Sequence, residues 1–378
     1  MFDFFITFAP ACAVVIIYDK RIENKSVAKQ SLTNLLIKKN FFMQEKISLR
    51  KKLKDSKMKR TLLILSFAFF GIVNINCLKS QTNSNKLDVY VAGYYGSKPM
   101  LWKNGIAQQL DDDVSYANSV YVSGNDVYVV AGGNYKAKFW KNGVLQILKA
   151  QGMDVSPYSV FVSNNDVYVA GHDSRVAKLW KNGVGQNLTD GSNRASAFSI
   201  YVSGNDVYVA GYEANEDGNE VGKVWKNGDE LFTKEIKDYN VSFNSVYVSG
   251  DDVYVAGEAH DRDASIAVLW KNGTPQLLTD GDYKAFAKSV YISGKDVYVA
   301  GDEANAQGKS VAVVWKNGVV KYLTDGSKSA YAESIFVIGN DVYVAGRIGM
   351  VAVLWKNGVP QNLTDGSRQA EAKSVFVK

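Results

Sequence analysis

Polar side chains that could bind a ligand or move a proton are concentrated in short segments that follow a recurring Val-Ala-Gly. The two histidines, His172 and His260, and carboxylates such as Glu216 and Glu258 stand in these segments. A pair of carboxylates several ångströms apart is enough for glycoside hydrolysis. The candidate ligand-binding residues are Tyr94, Tyr95, Tyr135, His172, Asp173, Arg175, Glu213, Glu216, Glu258, His260, Arg262, Asp302, Glu303 and Arg347.

The chain lacks the patterns of the common catalytic and cofactor sites. No cysteine lies beyond Cys77, and there is no Walker loop, dinucleotide fingerprint or metal-ligand spacing. An active site needs unlike groups held together, whereas near-identical repeats offer one group many times, which favours multivalent binding. We therefore predict a protein that is not an enzyme, with no catalytic residue, no metal and no cofactor. A carbohydrate-active enzyme that uses the acidic segments is the alternative.

The polar segments belong to a repeat that organises most of the chain. Each repeat contains one Trp-Lys-Asn-Gly within a unit of about 38 to 45 residues, and has four runs rich in Val, Tyr, Phe and Ile. This period, built from short strand-like runs, is typical of a propeller or array. The seven copies begin at Trp102, Trp140, Trp180, Trp225, Trp270, Trp315 and Trp355, which are all the tryptophans of the chain. Their common position favours core packing over sugar stacking.

Turn residues predict how neighbouring runs pair. Asn-Gly after each Trp-Lys tolerates positive φ at two consecutive residues, as a type I′ hairpin requires, so the third and fourth runs should pair. Ser-Gly-Asn-Asp, as at residues 123–126, predicts the same for the first and second runs. The last link between second and third runs, residues 347–349, spans about 10 Å and is too short to cross a four-stranded sheet. Each repeat is therefore predicted to be a four-stranded antiparallel meander.

The two ends of the repeat array complement each other. The array opens on a second strand, residues 88–93, and ends on a first strand, residues 374–377. Pairing these strands completes seven blades, whereas an open solenoid would leave two exposed sheet edges. We predict an all-β fold over residues 87–378: a seven-bladed β-propeller of four-stranded antiparallel blades, closed by pairing of its N-terminal and C-terminal strands.

The repeat motifs resemble those of the highly repetitive seven-bladed β-propellers of bacteria, which are often secreted or lipid-anchored envelope proteins. The resemblance rests on Trp-Lys-Asn-Gly and Asp-Val-Tyr-Val-Ala-Gly and covers about residues 87–378. It implies the architecture and an exported location, and nothing about activity. The Trp-Asp pair of the tryptophan–aspartate repeats is missing, and the double glycine of the kelch pattern has no regular position. The partners of those two families are therefore not carried over.

The segment before the array is predicted to be a targeting signal. From Met58, two basic residues precede a 13-residue apolar run, Thr61–Val73, which suits a signal peptide and is short for a membrane span. The spacing to Cys77 resembles a bacterial lipoprotein signal, in which Cys77 would be acylated, although Asn76 stands where such signals prefer a small residue. Cleavage and secretion without a lipid is the alternative.

These features divide the N-terminal part into three segments. Residues 1–57 form a non-structural extension, residues 58–77 the signal peptide, and residues 78–86 a polar tether. A transmembrane anchor at residues 4–18 is a further alternative, made less favourable by Asp3 and Pro10. The protein is thus expected to be exported, as a lipoprotein of the cell envelope or a secreted protein.

The formal charge of +6 does not describe the propeller. Residues 1–77 hold 14 of the 44 basic and 5 of the 38 acidic side chains, which leaves 30 basic against 33 acidic in the remainder. A mildly acidic ring has no electrostatic reason to bind nucleic acid or an anionic lipid surface. The predicted membrane contact is therefore limited to a lipid anchor or the N-terminal segment.

One rim of the predicted ring concentrates the differences between repeats. In a meander the tight hairpins share one rim, and the second-to-third loops share the other with the links between blades. From the Val-Ala-Gly glycine to Trp there are 8 or 9 residues in four repeats and 13 or 14 in three. Variable loops on a rigid scaffold usually carry binding residues. We predict an envelope module that recognises glycans or proteins through this rim, with the three long loops forming a raised acidic sector. A structural scaffold is the last alternative.

Overall fold

The computed structural model describes residues 87–378, except residues 112, 135, 150, 151, 153 and 238. These residues form 28 strands in seven four-stranded antiparallel sheets and contain no helix, which confirms the predicted all-β, seven-bladed propeller. Within this part of the chain, nothing helical is long and apolar enough to cross a bilayer. The predicted extension, signal peptide and tether, with Cys77, lie outside the described residues.

Each blade has an inner, a second, a third and an outer strand. The inner strands are β4 (Tyr116–Ser123), β8 (Val155–Ser163), β12 (Ala195–Ser203), β16 (Asn240–Ser249), β20 (Ala285–Ser293), β24 (Ala330–Ile338) and β28 (Ala370–Val377). The second strands are β1 (Val89–Tyr95), β5 (Asp126–Gly133), β9 (Asp166–Asp173), β13 (Asp206–Ala214), β17 (Asp252–His260), β21 (Asp296–Ala304) and β25 (Asp341–Ile348).

The third and outer strands complete the blades. The third strands are β2 (Pro99–Lys103), β6 (Lys136–Lys141), β10 (Val176–Lys181), β14 (Glu220–Lys226), β18 (Ser265–Lys271), β22 (Ser310–Lys316) and β26 (Val351–Lys356). The outer strands are β3 (Ile106–Gln109), β7 (Val144–Gln146), β11 (Val184–Asn187), β15 (Asp229–Lys234), β19 (Thr274–Leu277), β23 (Val319–Tyr322) and β27 (Val359–Asn362). Blade 1 is β28-β1-β2-β3, and blades 2 to 7 each take the next four strands in chain order.

The hydrophobic core is divided into seven clusters, one at each interface between neighbouring blades. Each cluster contains one repeat Trp, and these tryptophans are at most 4 % exposed. Trp225, for example, packs beside Ala197 and Ile200 between blades 3 and 4. The tryptophans are therefore core residues, as predicted, and their faces are not open to a sugar.

The Lys-Asn-Gly of each repeat has a structural role. Both turn residues have positive φ, 53° at Asn104 and 80° at Gly105, as a type I′ hairpin needs. Asn104 Oδ1 accepts the amide of Val89, and its Nδ2 donates to Asp88 Oδ1 at 2.7 Å, while Lys103 Nζ lies 2.8 Å from Asp88 Oδ2. The same contacts recur in the other six blades. These residues therefore hydrogen-bond the end of the third strand to the start of the second strand.

The two ends of the propeller meet in blade 1. β1 pairs with β28 over seven residue pairs, and Asp88 and Lys378 exchange two backbone hydrogen bonds of 2.8 and 2.9 Å. The predicted closure by the terminal strands is confirmed, and the open solenoid is excluded.

Two circles of contacts join the inner strands around the central channel. In the first, a backbone amide of each blade donates to the repeated Ser of the preceding blade, as Val160 N does to Ser119 Oγ at 3.2 Å. The seventh bond, from Val120 N to Ser374 Oγ at 3.2 Å, completes this serine belt. In the second, seven rings with centroids 4.5–5.2 Å from their neighbours narrow the channel: Tyr121, Phe161, Tyr201, Tyr247, Tyr291, Phe336 and Phe376. We call this circle the aromatic ring.

The loops divide between two rims as predicted. The tight hairpins form the constant rim, close to the aromatic ring. The second-to-third loops and the links between blades form the variable rim, where Lys284 Nζ donates to Arg262 O and Lys309 Nζ donates to Ser327 O across the two loop types. The long loops, residues 215–219, 261–264 and 305–309, lie on consecutive blades 4, 5 and 6. Their acidic residues are confined to blades 4 and 5, because the blade 6 loop contains Lys309 and no carboxylate.

Removal of one serine from the belt should test closure in solution. We expect Ser374→Ala to lower the free energy of unfolding by about 1–2 kcal/mol, because it leaves the amide of Val120 without its acceptor. Ser119→Ala, which removes an equivalent bond between blades 2 and 3, should cost the same. Urea unfolding of both variants makes the comparison. A loss for Ser119→Ala with none for Ser374→Ala would show that the joint between blades 1 and 2 is open in solution.

Candidate functional site at the channel mouth

Every inner strand carries a β-bulge one residue before the repeated Ser. A bulge re-aims the side chain that it leaves without a partner in the ladder. Here the bulged side chains make contacts across blade boundaries: Asn118 Nδ2 donates to Pro157 O at 2.8 Å, and the rings of Tyr158 and Phe198 lie 5.1 Å apart. The bulged residues, all partly buried around the channel, are Asn118, Tyr158, Phe198, Asn244, Lys288, Glu333 and Lys373.

A second circle of variable residues lies beside the bulges, on the second strands. Asn244 Nδ2 donates to Glu258 Oε2 at 2.6 Å, and Tyr158 Oη lies 3.3 Å from His172 Nδ1. Six members follow the Val-Ala-Gly of their strand, and blade 2 contributes a glycine: Tyr94, Gly132, His172, Tyr212, Glu258, Asp302 and Arg347. We call these two circles together the channel mouth, since they lie on the variable-rim side of the aromatic ring.

Blades 3 and 4 make one side of the channel mouth aromatic. Phe198 lies between Tyr158 and Tyr212, with ring centroids 5.1 and 5.7 Å away. Burial raises the pKa of Tyr158 to about 12, so its hydroxyl stays protonated at neutral pH. Burial also lowers the pKa of His172, against the attraction of Asp154, which favours a neutral ring. This side therefore offers uncharged rings with hydrogen-bonding edges.

Blades 5 and 6 make the opposite side charged. Glu258 is 6 % exposed and Asp302 is 1 % exposed. Burial raises the pKa of Glu258 to about 7 and that of Asp302 to about 6, although the charge of Lys288 opposes both shifts. Burial alone would lower the pKa of the Lys288 amine, but the carboxylates of Glu258, Glu333 and Asp302 raise it above its usual value. Asp302 Oδ1 has no hydrogen-bond partner among the described residues.

Blades 7 and 1 extend the charged side. Arg347 Nε donates to Glu371 Oε1 at 2.9 Å, and its guanidinium lies 3.9 Å from the ring centroid of Tyr331. Lys373 Nζ is 3.7 Å from Glu371 Oε2. Burial and the neighbouring Glu333 raise the pKa of Glu371, while the two cations oppose the shift. Acidic and basic groups thus alternate over four consecutive blades.

Five of the sequence-predicted residues lie in the channel mouth, at one equivalent strand position. They are Tyr94, His172, Glu258, Asp302 and Arg347.

The residue that follows a channel-mouth position on a second strand lies in a different environment, because side chains alternate along a strand. Asp173 forms a buried ion pair with Lys178 at 2.8 Å, and Glu213 pairs with Lys223 at 2.8 Å. The Tyr95 and Tyr322 hydroxyls donate to Asp365 and Glu303 respectively. Tyr95, Asp173, Glu213 and Glu303 thus make local contacts away from the channel mouth.

The remaining described residues of the prediction lie at the variable rim: Arg175, Glu216 and Arg262 on its loops, and His260 at the end of β17. Arg175, Glu216 and Arg262 are exposed, and they are not brought together with the channel mouth. His260 is partly buried; burial and the charge of Lys288 lower its pKa, and its Nδ1 has no partner among the described residues. Tyr135 lies outside the described residues.

A separate acidic groove of about 610 Å³ opens on the variable rim at blade 6, lined by that blade and by the links before and after it. Its lining includes the carboxylates of Asp280, Asp282 and Glu303 and the exposed ring of Tyr283. Across the described residues, no group of three or more His, Cys, Asp or Glu side chains is arranged to hold a metal ion. The groove therefore offers acidic and aromatic surface without a metal-binding geometry.

Sequence reasoning missed all seven bulged residues. Their signal was nevertheless present, because the position before an invariant Ser changes among amide, aromatic, basic and acidic residues while its neighbours repeat. The strands that line the channel had not been identified, so this variation had no spatial meaning.

Comparisons with known proteins give no function. No family model matches the chain, and no curated protein matches it. Among solved structures, the computationally designed Ika8 protein is similar at 21 % identity with a TM-score of 0.45, covering 76 % of this chain and 87 % of that one. A chain of a nidogen/laminin complex is similar at 11 % identity with a TM-score of 0.40, covering 62 % and 92 %. No residue role or partner is carried over from either. The propeller itself is compatible with ligand or protein binding.

The buried carboxyl of Glu258 should make stability depend on pH. Its pKa rises from 4.5 to about 7 on folding. Between pH 4.5 and about 7 the Glu258 carboxyl is therefore protonated in the folded state and ionised in the unfolded state. The free energy of unfolding should fall as the pH rises through this range. We expect Glu258→Gln to raise the free energy of unfolding at pH 8 by a few kcal/mol and to flatten the profile between these values. In this variant the buried Asp302 should still cause a smaller fall in the free energy of unfolding, at lower pH.

Urea unfolding at a series of pH values measures this effect. Glu216→Gln, on an exposed loop, is the matched control and should leave the profile unchanged. Equal profiles for wild type and Glu258→Gln would contradict the buried environment described for Glu258.

Proposed function

We propose that the protein is a non-enzymatic binding module of the cell envelope and that its channel mouth binds a glycan. The observation that carries this proposal is the two-sided lining of the mouth within a ring of otherwise near-identical blades. Aromatic side chains of blades 3 and 4 face charged and amide groups of blades 5, 6, 7 and 1, on the variable-rim side of the aromatic ring. Concave sites with apolar walls and a few converging polar groups are typical of small-ligand binding.

The chemistry of the two sides suits a saccharide. Tyr158 and Phe198 are partly exposed, and aromatic faces pack against the C–H faces of pyranose rings. Asn244, Lys288 and Glu333 on the other side can donate to and accept from hydroxyl, amino or carboxylate substituents. A folded protein partner would instead meet the exposed loop residues such as Arg175, Glu216 and Arg262, which are spread along the rim.

A carbohydrate-active enzyme is the second candidate, because two buried carboxyls with raised pKa lie on neighbouring blades. Glu258 and Asp302, at about 7 and 6, have the pKa range of a general acid at neutral pH. Glu216, by contrast, is an exposed residue of a rim loop. Release of sugar from a bound glycan by wild type but not by Glu258→Gln would favour the enzyme over the binding module.

The envelope location is supported by residues 58–77 of the sequence. The basic residues, the apolar run and Cys77 have the order of a bacterial lipoprotein signal. Residues 78–86 would then serve as the tether between the lipid and the first strand.

Substitution of the aromatic side should weaken glycan binding. A glycan array first identifies the ligand, and calorimetry then compares variants. We expect Tyr158→Ala and Phe198→Ala each to weaken Kd at least about tenfold, which corresponds to about 1.4 kcal/mol, because each removes a packing surface for the sugar ring. Melting curves show whether the variants remain folded.

Tyr283→Ala is the matched control, because Tyr283 is an exposed tyrosine of the same rim that lies in the acidic groove. It should bind like wild type. Equal weakening by Tyr283→Ala would move the site to the groove, and the lack of any glycan ligand at about 1 mM would count against the proposal.

Lipid attachment can be tested at its proposed residue. In a bacterial host, Cys77→Ser should abolish incorporation of labelled palmitate, because Cys77 supplies the acylated thiol. Cys12→Ser removes the other cysteine of the chain and should incorporate label like wild type. Palmitate incorporation into Cys77→Ser would refute the lipoprotein proposal, and no incorporation into wild type would favour secretion.

A further inference from the structure

The tips of the third-to-outer hairpins carry exposed aliphatic side chains on the constant rim. The residue after each Asn-Gly points into solvent, and in five blades it is Ile or Val, with 58–76 % of the side chain exposed. These tips are Ile106, Val144, Val184, Val319 and Val359, on blades 1, 2, 3, 6 and 7. The tips of blades 4 and 5 are Asp229 and Thr274. The apolar tips therefore form one continuous arc of five blades.

The arc is centred on the blade where the N-terminal segment joins the ring. Leu87 and Asp88 begin blade 1 on the constant rim, because Asp88 accepts from Asn104 in the hairpin that carries Ile106. Residues 1–86 are thus joined to the propeller at the middle of the arc. Blades 4 and 5, with the polar tips, lie on the opposite side of the ring.

The exposed charges of the constant rim also differ between the arc and the opposite side of the ring. Each rim Asp that begins a second strand is paired with the Lys of its own blade, as Asp126 is with Lys141 at 2.7 Å. The exposed carboxylates of Asp229 and Asp251 lie on blades 4 and 5, away from the arc, whereas the exposed amine of Lys295 lies on blade 6, within it. The mild net acidity of the whole ring therefore does not describe this part of its surface.

We propose that the arc of aliphatic tips inserts into the interfacial region of a lipid bilayer. In this orientation blade 1 lies closest to the membrane, and the channel mouth faces away from it. Five separate apolar tips in one arc suit a planar, fluid partner, since a bilayer accepts them without matching their shape. The junction with residues 1–86 at the centre of the arc would keep these tips at the membrane. The inference shares the envelope location with the proposed function, and it does not depend on a glycan in the channel mouth.

Lysine accessibility tests the orientation with the full chain. The protein is mixed with phosphatidylcholine vesicles that contain about 30 % phosphatidylglycerol, then treated with a membrane-impermeant acylating reagent. Lys295 on the constant rim and Lys309 on the variable rim belong to the same blade and are both exposed. We expect vesicles to reduce acylation of Lys295 at least about fivefold and to change that of Lys309 less than about twofold.

Tip variants separate the arc from the N-terminal segment. The double variant Ile106→Asp with Val359→Asp should restore acylation of Lys295 to its vesicle-free level, because two carboxylates enter the centre of the arc. Thr274→Asp, at the equivalent position on the far side, should keep the protection. Since all three positions are exposed first residues of outer strands, the variants should melt like wild type.

Four outcomes would overturn the proposal. They are equal protection of Lys295 and Lys309, retained protection in the double variant, loss of protection in Thr274→Asp, and no protection of Lys295 by vesicles. The last result would exclude the bilayer as the partner of the arc and favour a protein partner. A glycan that binds in the same experiment would not alter these results, so failure of either proposal can be told apart.

Discussion

Pairing of β1 with β28 is the constraint on which the rest of the structure depends. Every blade buries both faces against its neighbours, and each blade interface has its own hydrophobic cluster with one tryptophan. Blade 1 can bury its faces in this way only when the first and last strands of the propeller lie in the same sheet. The serine belt and the aromatic ring are circular, so each would be interrupted if that sheet came apart.

Within this repetitive frame, the residues that do not repeat are gathered at the channel mouth. Repeated positions are accounted for by packing and turns: Trp in the core, Lys, Asn and Gly at the hairpins, Ser in the belt. The bulged position and its neighbour on the second strand have no such packing or turn role. These positions can therefore carry aromatic rings on one side of the channel mouth and charged groups on the other. Burial of Glu258 and Asp302 costs stability whenever they ionise, and within the described part of the chain Asp302 Oδ1 has no hydrogen-bond partner. A binding role gives a physical reason to retain such groups.

Most of the fold could be read from the sequence, and only part of the candidate site. Asn-Gly turns, loop lengths and the complementary ends determine the hairpins, the meander and closure, because these depend on local geometry and strand counting. The bulges could not be predicted, since a bulge depends on how the inner strands meet around the axis. For the same reason the sequence did not separate Glu258, which faces Asn244 at the mouth, from Glu213, which pairs with Lys223 in its own blade.

The serine belt has a consequence for where the chain can begin. Its seven hydrogen bonds are 3.1–3.4 Å long, and the bond across the chain ends does not differ from the others. The bonds of the serine belt therefore do not distinguish blade 1 from the other blades. A circular permutant that joins Lys378 to Leu87 and opens a link between two other blades would assemble the same joints, so the present termini are one choice among several equivalent ones.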